Sequence, residues 1–217
     1  MFSGRTEAAL RRCMIQYDVE EREEGYVAVR TVSFTQMADG TAEDYELLDA
    51  IETEDVTGFP DRVLGWMRQM DDETTSYQIT RLEHMLQAAT RAYRAGEDEE
   101  YVVCVLLHDI GDVLAPANHS EVAAAVLRPY VSEQNYWIVK HHGVFQGYFY
   151  FHYRGADRNA RDAWRDHPYY QATVDFCARY DQNSFDPAYE SEPLAFFEPM
   201  LRRVLARPRT FESNNQT

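Results

Sequence analysis

The stretch ITRLEHMLQAATRAYRAGEDEEYVVCVLLHDIGD, Ile79 to Asp112, carries two consecutive helical patterns and closes around an adjacent imidazole and carboxylate. Leu82, Met85, Leu86, Ala89 and Tyr93 recur at the helical period, and Gly96 closes the first run. EDEEYVVCVLLHD then places acidic residues in a first turn, where the helix dipole favours them, ahead of an apolar body. Its side chains are small or branched, as a buried central helix requires. His108 and Asp109 differ by about 100° in direction on a regular helix, yet both can turn toward one cation at a C-terminal end relaxed by Gly111. An ionised aspartate buried beside VVCVLL is costly without compensation, which a divalent or trivalent metal supplies. The bland alternative is an aspartate exposed at a polar helix end.

Outward from this stretch the helical reading continues. HSEVAAAVLRPY (119–130), SEQNYWIVKHH (132–142), PYYQATVDFCARYD (168–181) and PLAFFEPMLRRVLA (193–206) all read as helices, and Pro129, Pro168 and Pro187 punctuate the boundaries. Upstream, GTAEDYELLDAIETE (40–54) starts on Thr41 and Asp44, a capping-box-like pair, and Gly58 with Pro60 ends that helix before DRVLGWMRQM (61–70). YVAVRTVSF (26–34) has the β-branched alternation of a short edge strand or extended arm. The expected fold is an all-α helical bundle: residues 71–217 form the core, and residues 1–70 form an N-terminal extension packed on it.

With 37 acidic against 21 basic residues the formal net charge is −16, which repels nucleic acid and anionic membranes. Lys140 is the only lysine, so an anionic substrate would be held by arginine, metal or helix N-termini. No apolar run reaches the ~20 residues that cross a bilayer, and MFSGRTEAALRRCM lacks a signal-peptide hydrophobic region. A cytoplasmic location and a small-molecule substrate are therefore expected. Cys13, Cys104 and Cys177 form no CxxC and read as buried thiols.

Seven histidines occur, at 84, 108, 119, 141, 142, 152 and 167, and a single one is more often structural than ligating. Together with Asp109 and Asp181 they are harder to dismiss. HExxH, ExxH pairs, a GxSxG elbow, a phosphate loop and cysteine-rich zinc spacing are all absent. Imidazoles and carboxylates on helices remain, a donor set suited to iron, manganese or zinc.

The order His84, His108-Asp109, Asp181 resembles the HD-domain superfamily, and Ile79 to Asp112 resembles its mixed-valence di-iron oxygenases, which include phosphonate-cleaving enzymes and myo-inositol oxygenase. The resemblance covers roughly residues 74 to 205. It implies six ligands: His84, His108 and Asp181 on one iron, His119 and His142 on the other, and Asp109 as the bridge, with His141 as the alternative should the register slip by one. It also implies two iron ions with O2 as co-substrate. Manganese or another divalent metal is the alternative, as is an HD-type phosphohydrolase acting on a nucleotide or phosphate ester. The phosphonate-cleaving relatives carry a tyrosine and a glutamate ahead of the first ligand, where this chain has Thr74 and Tyr77. Their substrate-anchoring lysine is replaced by Gln146.

Further site residues are expected around these ligands. Tyr77 is a candidate gate, Gln87 lies one turn after His84, and Asp112 can hydrogen-bond a ligand histidine or a metal-bound water. Within and after GVFQGYFYFHYRG (143–155), Gln146 and Tyr148 are candidates for orienting a hydroxylated substrate, and Arg154, Arg158 and Arg161 for its anionic end. Clustered aromatics in that run are more often core. The expected function is oxidative cleavage of a C–C or C–P bond in a small hydroxylated substrate.

Overall fold

The computed structural model describes residues 20–21, 27–28, 30–71, 76–206 and 208, which fall into two compact units, Met1–Val56 and Thr57–Thr217. Thr74 and Cys13 lie outside the described residues. In the first unit, β1 (Glu20–Glu21) pairs antiparallel with β2 (Val27–Ala28). Helix α1 (Ala42–Thr57) begins on a reciprocal cap: the Asp44 carboxylate accepts from the Thr41 amide (3.0 Å) and the Ser33 amide (2.6 Å), while the Thr41 hydroxyl accepts from the Asp44 amide (3.3 Å). Those Thr41 and Ser33 amides hold the Asp44 carboxyl at about 2. A depressed folded value means the cap is fully formed above the ordinary carboxylate range and is lost as pH falls toward 2. The Ser33 and Thr41 amide resonances should therefore titrate near pH 2, and Asp44→Asn should abolish the titration. A midpoint near 4 in the wild type would contradict the cap.

The second unit is a helical bundle. Helix α2 (Phe59–Gln69) carries Pro60 in its first turn and buries Val63, Leu64 and Met67 completely, so residues 57–70, read from sequence as extension, are part of this unit and its core. Helix α3 (Arg81–Arg94) opens on a capping box between Thr80 and Glu83 and stops at Gly96, whose φ of 83° belongs to the left-handed region. The Glu97 amide reaches Ala92 O and the Gly96 amide reaches Tyr93 O, which closes the helix in a Schellman motif. Helix α4 (Glu99–Leu107) is capped by Asp98 and buried from Val102 through Leu107, the central position that its uniformly apolar sequence requires.

Short 3-10 turns (Ile110–Val113 and Pro116–Asn118) lead to α5 (His119–Leu127), which packs on the long α6 (Glu133–Tyr150). Glu100 accepts from the Ser132 amide (2.7 Å) and the Asn135 side chain (2.8 Å), pinning the start of α6 to the start of α4. Helix α7 (Tyr170–Phe176) continues into a π-turn, Cys177–Asp181, closed by the Gln182 amide on Cys177 O. Helix α8 (Leu194–Leu205) covers α4 and α2 with Phe197, Leu201 and Leu205. Phe145, Phe176 and Phe197 are fully buried, each contributing ~1.5–3 kcal/mol by area. Cys104 and Cys177 are buried free thiols. Among the described residues no helix is long and apolar enough to cross a membrane.

Candidate metal centre

Five separate elements bring six side chains to one point. His84 projects from α3, His108 caps α4, Asp109 follows it, His119 opens α5, His142 lies within α6, and Asp181 closes the π-turn. The two oxygens of Asp109 face different partners. Oδ2 lies 3.4 Å from His108 Nε2 and 3.6 Å from His84 Nε2, whereas Oδ1 lies 3.1 Å from His142 Nε2 and 3.3 Å from His119 Nε2. Asp181 Oδ1 is 3.5 Å from His84 Nε2 and 3.8 Å from His108 Nε2. The trios His84–His108–Asp109, His108–His142–Asp181 and Asp109–His119–His142 each have ligand atoms close enough to hold one ion.

Hydrogen bonding on the far side of the imidazoles decides which nitrogen is available. Nδ1 donates to a backbone carbonyl at Ser184 from His84 (2.9 Å), at Val105 from His108 (2.8 Å) and at Val139 from His142 (2.7 Å). Neutral rings with Nδ1 protonated turn their Nε2 lone pairs inward, the tautomer that binds a metal. His84 Nε2 and His108 Nε2 then sit 3.2 Å apart with lone pairs opposed, an arrangement that a shared cation relieves. Asp181 Oδ2 is buried without a hydrogen-bond partner, which also fits a cation.

The electrostatics point the same way. Burial pulls the His84 and His142 imidazoles down, but Asp181 and Asp109 beside them reverse this and the net shift is upward. For His108 burial prevails and its value is lowered. Burial pushes Asp109 up, but the surrounding imidazoles hold it well below the carboxylate range. An ionised carboxylate ringed by four imidazoles competes for cations, and metal must displace any proton those rings carry.

The cluster opens into a cavity of about 550 Å³ walled by Tyr77, Phe149, Tyr150 and Phe185, with Gln146 and Arg154 at its side. Phe185 stacks on the His84 ring (4.3 Å), and Tyr77 packs on Phe185 (4.9 Å). Gln146 Nε2 donates to Asp181 Oδ1 (2.9 Å). Asp112 also lines the cavity, 2.8 Å from Arg81 Nη1 and 3.5 Å from His119 Nδ1.

Four residues expected near substrate lie elsewhere. Tyr148 is two residues beyond Gln146 on the same helix, about 200° away, and does not line the cavity. Arg158 and Arg161 follow the chain reversal at Gly155 (φ 73°) and stack on the Tyr148 ring at 4.2 and 3.8 Å. Gln87 is consumed by Asp186, donating to its carbonyl (2.8 Å) and accepting from its amide (3.2 Å), so it clamps the segment after the π-turn to α3. His141 stacks on Trp137 (3.6 Å) and donates to the Trp137 carbonyl (3.0 Å), leaving His142 at the centre.

Sequence reading missed Arg81 and Phe185, and took the aromatic run that contains Phe149 and Tyr150 to be more often core than cavity wall. Arg81 was recoverable, since it precedes His84 by three residues on one helical face. Phe185 sits in irregular chain after Asp181 and carries no periodic signal.

Residues 81–172 match the HD domain family. A 44-residue stretch is 50% identical to the [1-hydroxy-2-(trimethylamino)ethyl]phosphonate dioxygenase (glycine-betaine-forming) of Leisingera caerulea, over 20% of this chain and 22% of that enzyme's length.

Proposed function

From the match of residues 81–172 to the HD domain family we propose that the chain is a di-iron oxygenase that uses O2 to cleave a C–C or C–P bond beside a hydroxyl-bearing carbon of a small substrate. The observation that carries this reading is Asp109, whose two oxygens each face a different pair of imidazoles. His84, His108 and Asp181 would hold one iron, His119 and His142 the other, and Asp109 would serve both. Such a pair, when bound, supplies the redox electrons and Lewis acidity that dioxygen chemistry requires. The 44-residue likeness to a dioxygenase of a hydroxylated phosphonate favours oxygenation.

The chain's own residues then bind and orient. Because a carboxylate oxygen only accepts, the Asp181 contact fixes the Gln146 amide with Nε2 toward Asp181, and its buried Oε1 has no protein partner. That oxygen is an acceptor for a substrate hydroxyl. Arg154 lies over the Tyr150 ring (4.8 Å) with no carboxylate partner among the described residues, and offers its charge to an anionic end. The rings of Tyr77, Phe149 and Phe185 give the cavity apolar wall surface.

Protein isolated without oxygen should carry two irons per chain and show a coupled-pair EPR signal after partial oxidation. It should consume O2 with a member of a panel of hydroxylated phosphonates, polyols and quaternary amines. Phosphate release from nucleotides with manganese in the absence of O2, and no oxygen uptake, would instead assign the site to hydrolysis.

A further inference from the structure

The four imidazoles are not held equally. His84, His108 and His142 each donate Nδ1 to a main-chain carbonyl at 2.7–2.9 Å, and their side chains are 0–6% exposed. His119 differs on both counts. Its nearest carbonyl, Pro116 O, is 3.4 Å away, and its side chain is 29% exposed at the cavity edge. What faces its Nδ1 from the side is a carboxylate, Asp112 Oδ1 at 3.5 Å, whose other oxygen is held by Arg81 Nη1 at 2.8 Å. Arg81 begins α3 and Asp112 lies in the turn after α4, so beyond the long contact to Pro116 O the His119 orientation depends on side chains from two other elements.

We infer that the two half-sites fill unequally and that Asp112, steadied by Arg81, sets the affinity of the outer one, formed by His119, His142 and Asp109. This rests on the dinuclear reading above. The physical reason is preorganisation. A ligand ring already fixed by a short hydrogen bond loses little freedom on binding and stays basic at Nε2, while a ring without one pays that cost when the ion arrives. The inner ion therefore binds first and exchanges last. Asp112 acts as a positioning residue: it approaches His119 Nδ1, not the ligand nitrogen, and its charge favours the tautomer that offers Nε2.

The test uses the full-length metal-free protein titrated anaerobically with Fe(II), with Mn(II) as a second probe, and bound metal counted after desalting. Wild-type protein should show two ions of separable affinity. Asp112→Asn should leave the tight ion unchanged and weaken the second by about 10- to 100-fold. Asp112→Glu should restore part of that loss, and Mn(II) EPR should change from a coupled to an isolated-ion spectrum at intermediate loading. Should Asp112→Asn fail to fold, Arg81→Gln at the start of α3 tests the same link and should selectively weaken the second ion by a smaller factor. Two equal wild-type sites, or a variant that binds both ions as before or loses both alike, would overturn the inference while leaving a dinuclear centre intact. A wild-type protein that binds one ion overturns the dinuclear reading itself.

Discussion

Asp109→Asn is expected to leave a folded protein that binds at most one metal ion and has lost the proposed oxygen-consuming activity by on the order of 10³-fold or more, since several kcal/mol of charge stabilisation is removed at 1.36 kcal/mol per decade. The substitution keeps shape and removes charge. An asparagine can present its carbonyl oxygen to His84 and His108, or to His119 and His142, but then turns two N–H donors toward the other pair, where two ring nitrogens now supply all the donor density. The lost charge is felt on both sides, because Asp109 is among the groups that raise both His84 and His142. Metal content and thermal melting measure this directly. Wild-type protein at a hundredfold excess of ion over its Kd gains about 2.7 kcal/mol from each site, and the variant should forfeit at least one such increment. Retention of both ions would remove Asp109 from the bridging role.

The second large effect is expected from Gly111→Ala, which alters no ligand side chain. A methyl group at residue 111 would collide with the backbone carbonyl of His119, and the neighbouring carbonyl carbon lies only 2.8 Å from where that methyl would sit. Backbone cannot rotate aside as a side chain can, so the turn after α4 or the start of α5 must move. Over-packing of this kind costs ~1–3 kcal/mol and occasionally more. Here the strain falls on the segment that delivers His119, so the folded fraction should lose the outer ion before the inner one. Chemical denaturation and metal counting read the two consequences separately. Unchanged stability together with full metal loading would show that the approach of α5 to this turn is not tight.

The all-α architecture was legible because Leu82, Met85 and Ala89 mark a face at helical spacing, and because the acidic first turn ahead of Val102 to Leu107 marks the start of a buried helix. Thr41 with Asp44 announced the start of α1 for an equally local reason: a cap is written in neighbouring residues. The division after Val56 was not legible, since Val63, Leu64 and Met67 read as one more amphipathic helix whichever unit claims them. At the centre, local chemistry pointed to His108 and Asp109, but nothing periodic relates His84 to Asp181, and only the family resemblance joined them. The π-turn compounds this, because its wider register aims Asp181 where a 3.6-residue period would not. Tyr148, Arg158 and Arg161 were misplaced because residue type says little about direction once a helix has turned its far face outward.

The carbonyls of Val105, Val139 and Ser184 that orient three of the imidazoles have a consequence for how this scaffold can diversify. Main-chain acceptors survive almost any replacement of the residue that bears them, so the inner part of the centre is insulated from drift in the side chains around it. Walls and mouth are free to change under selection for new substrates, while the three carbonyl-held imidazoles are passed on with the helices themselves.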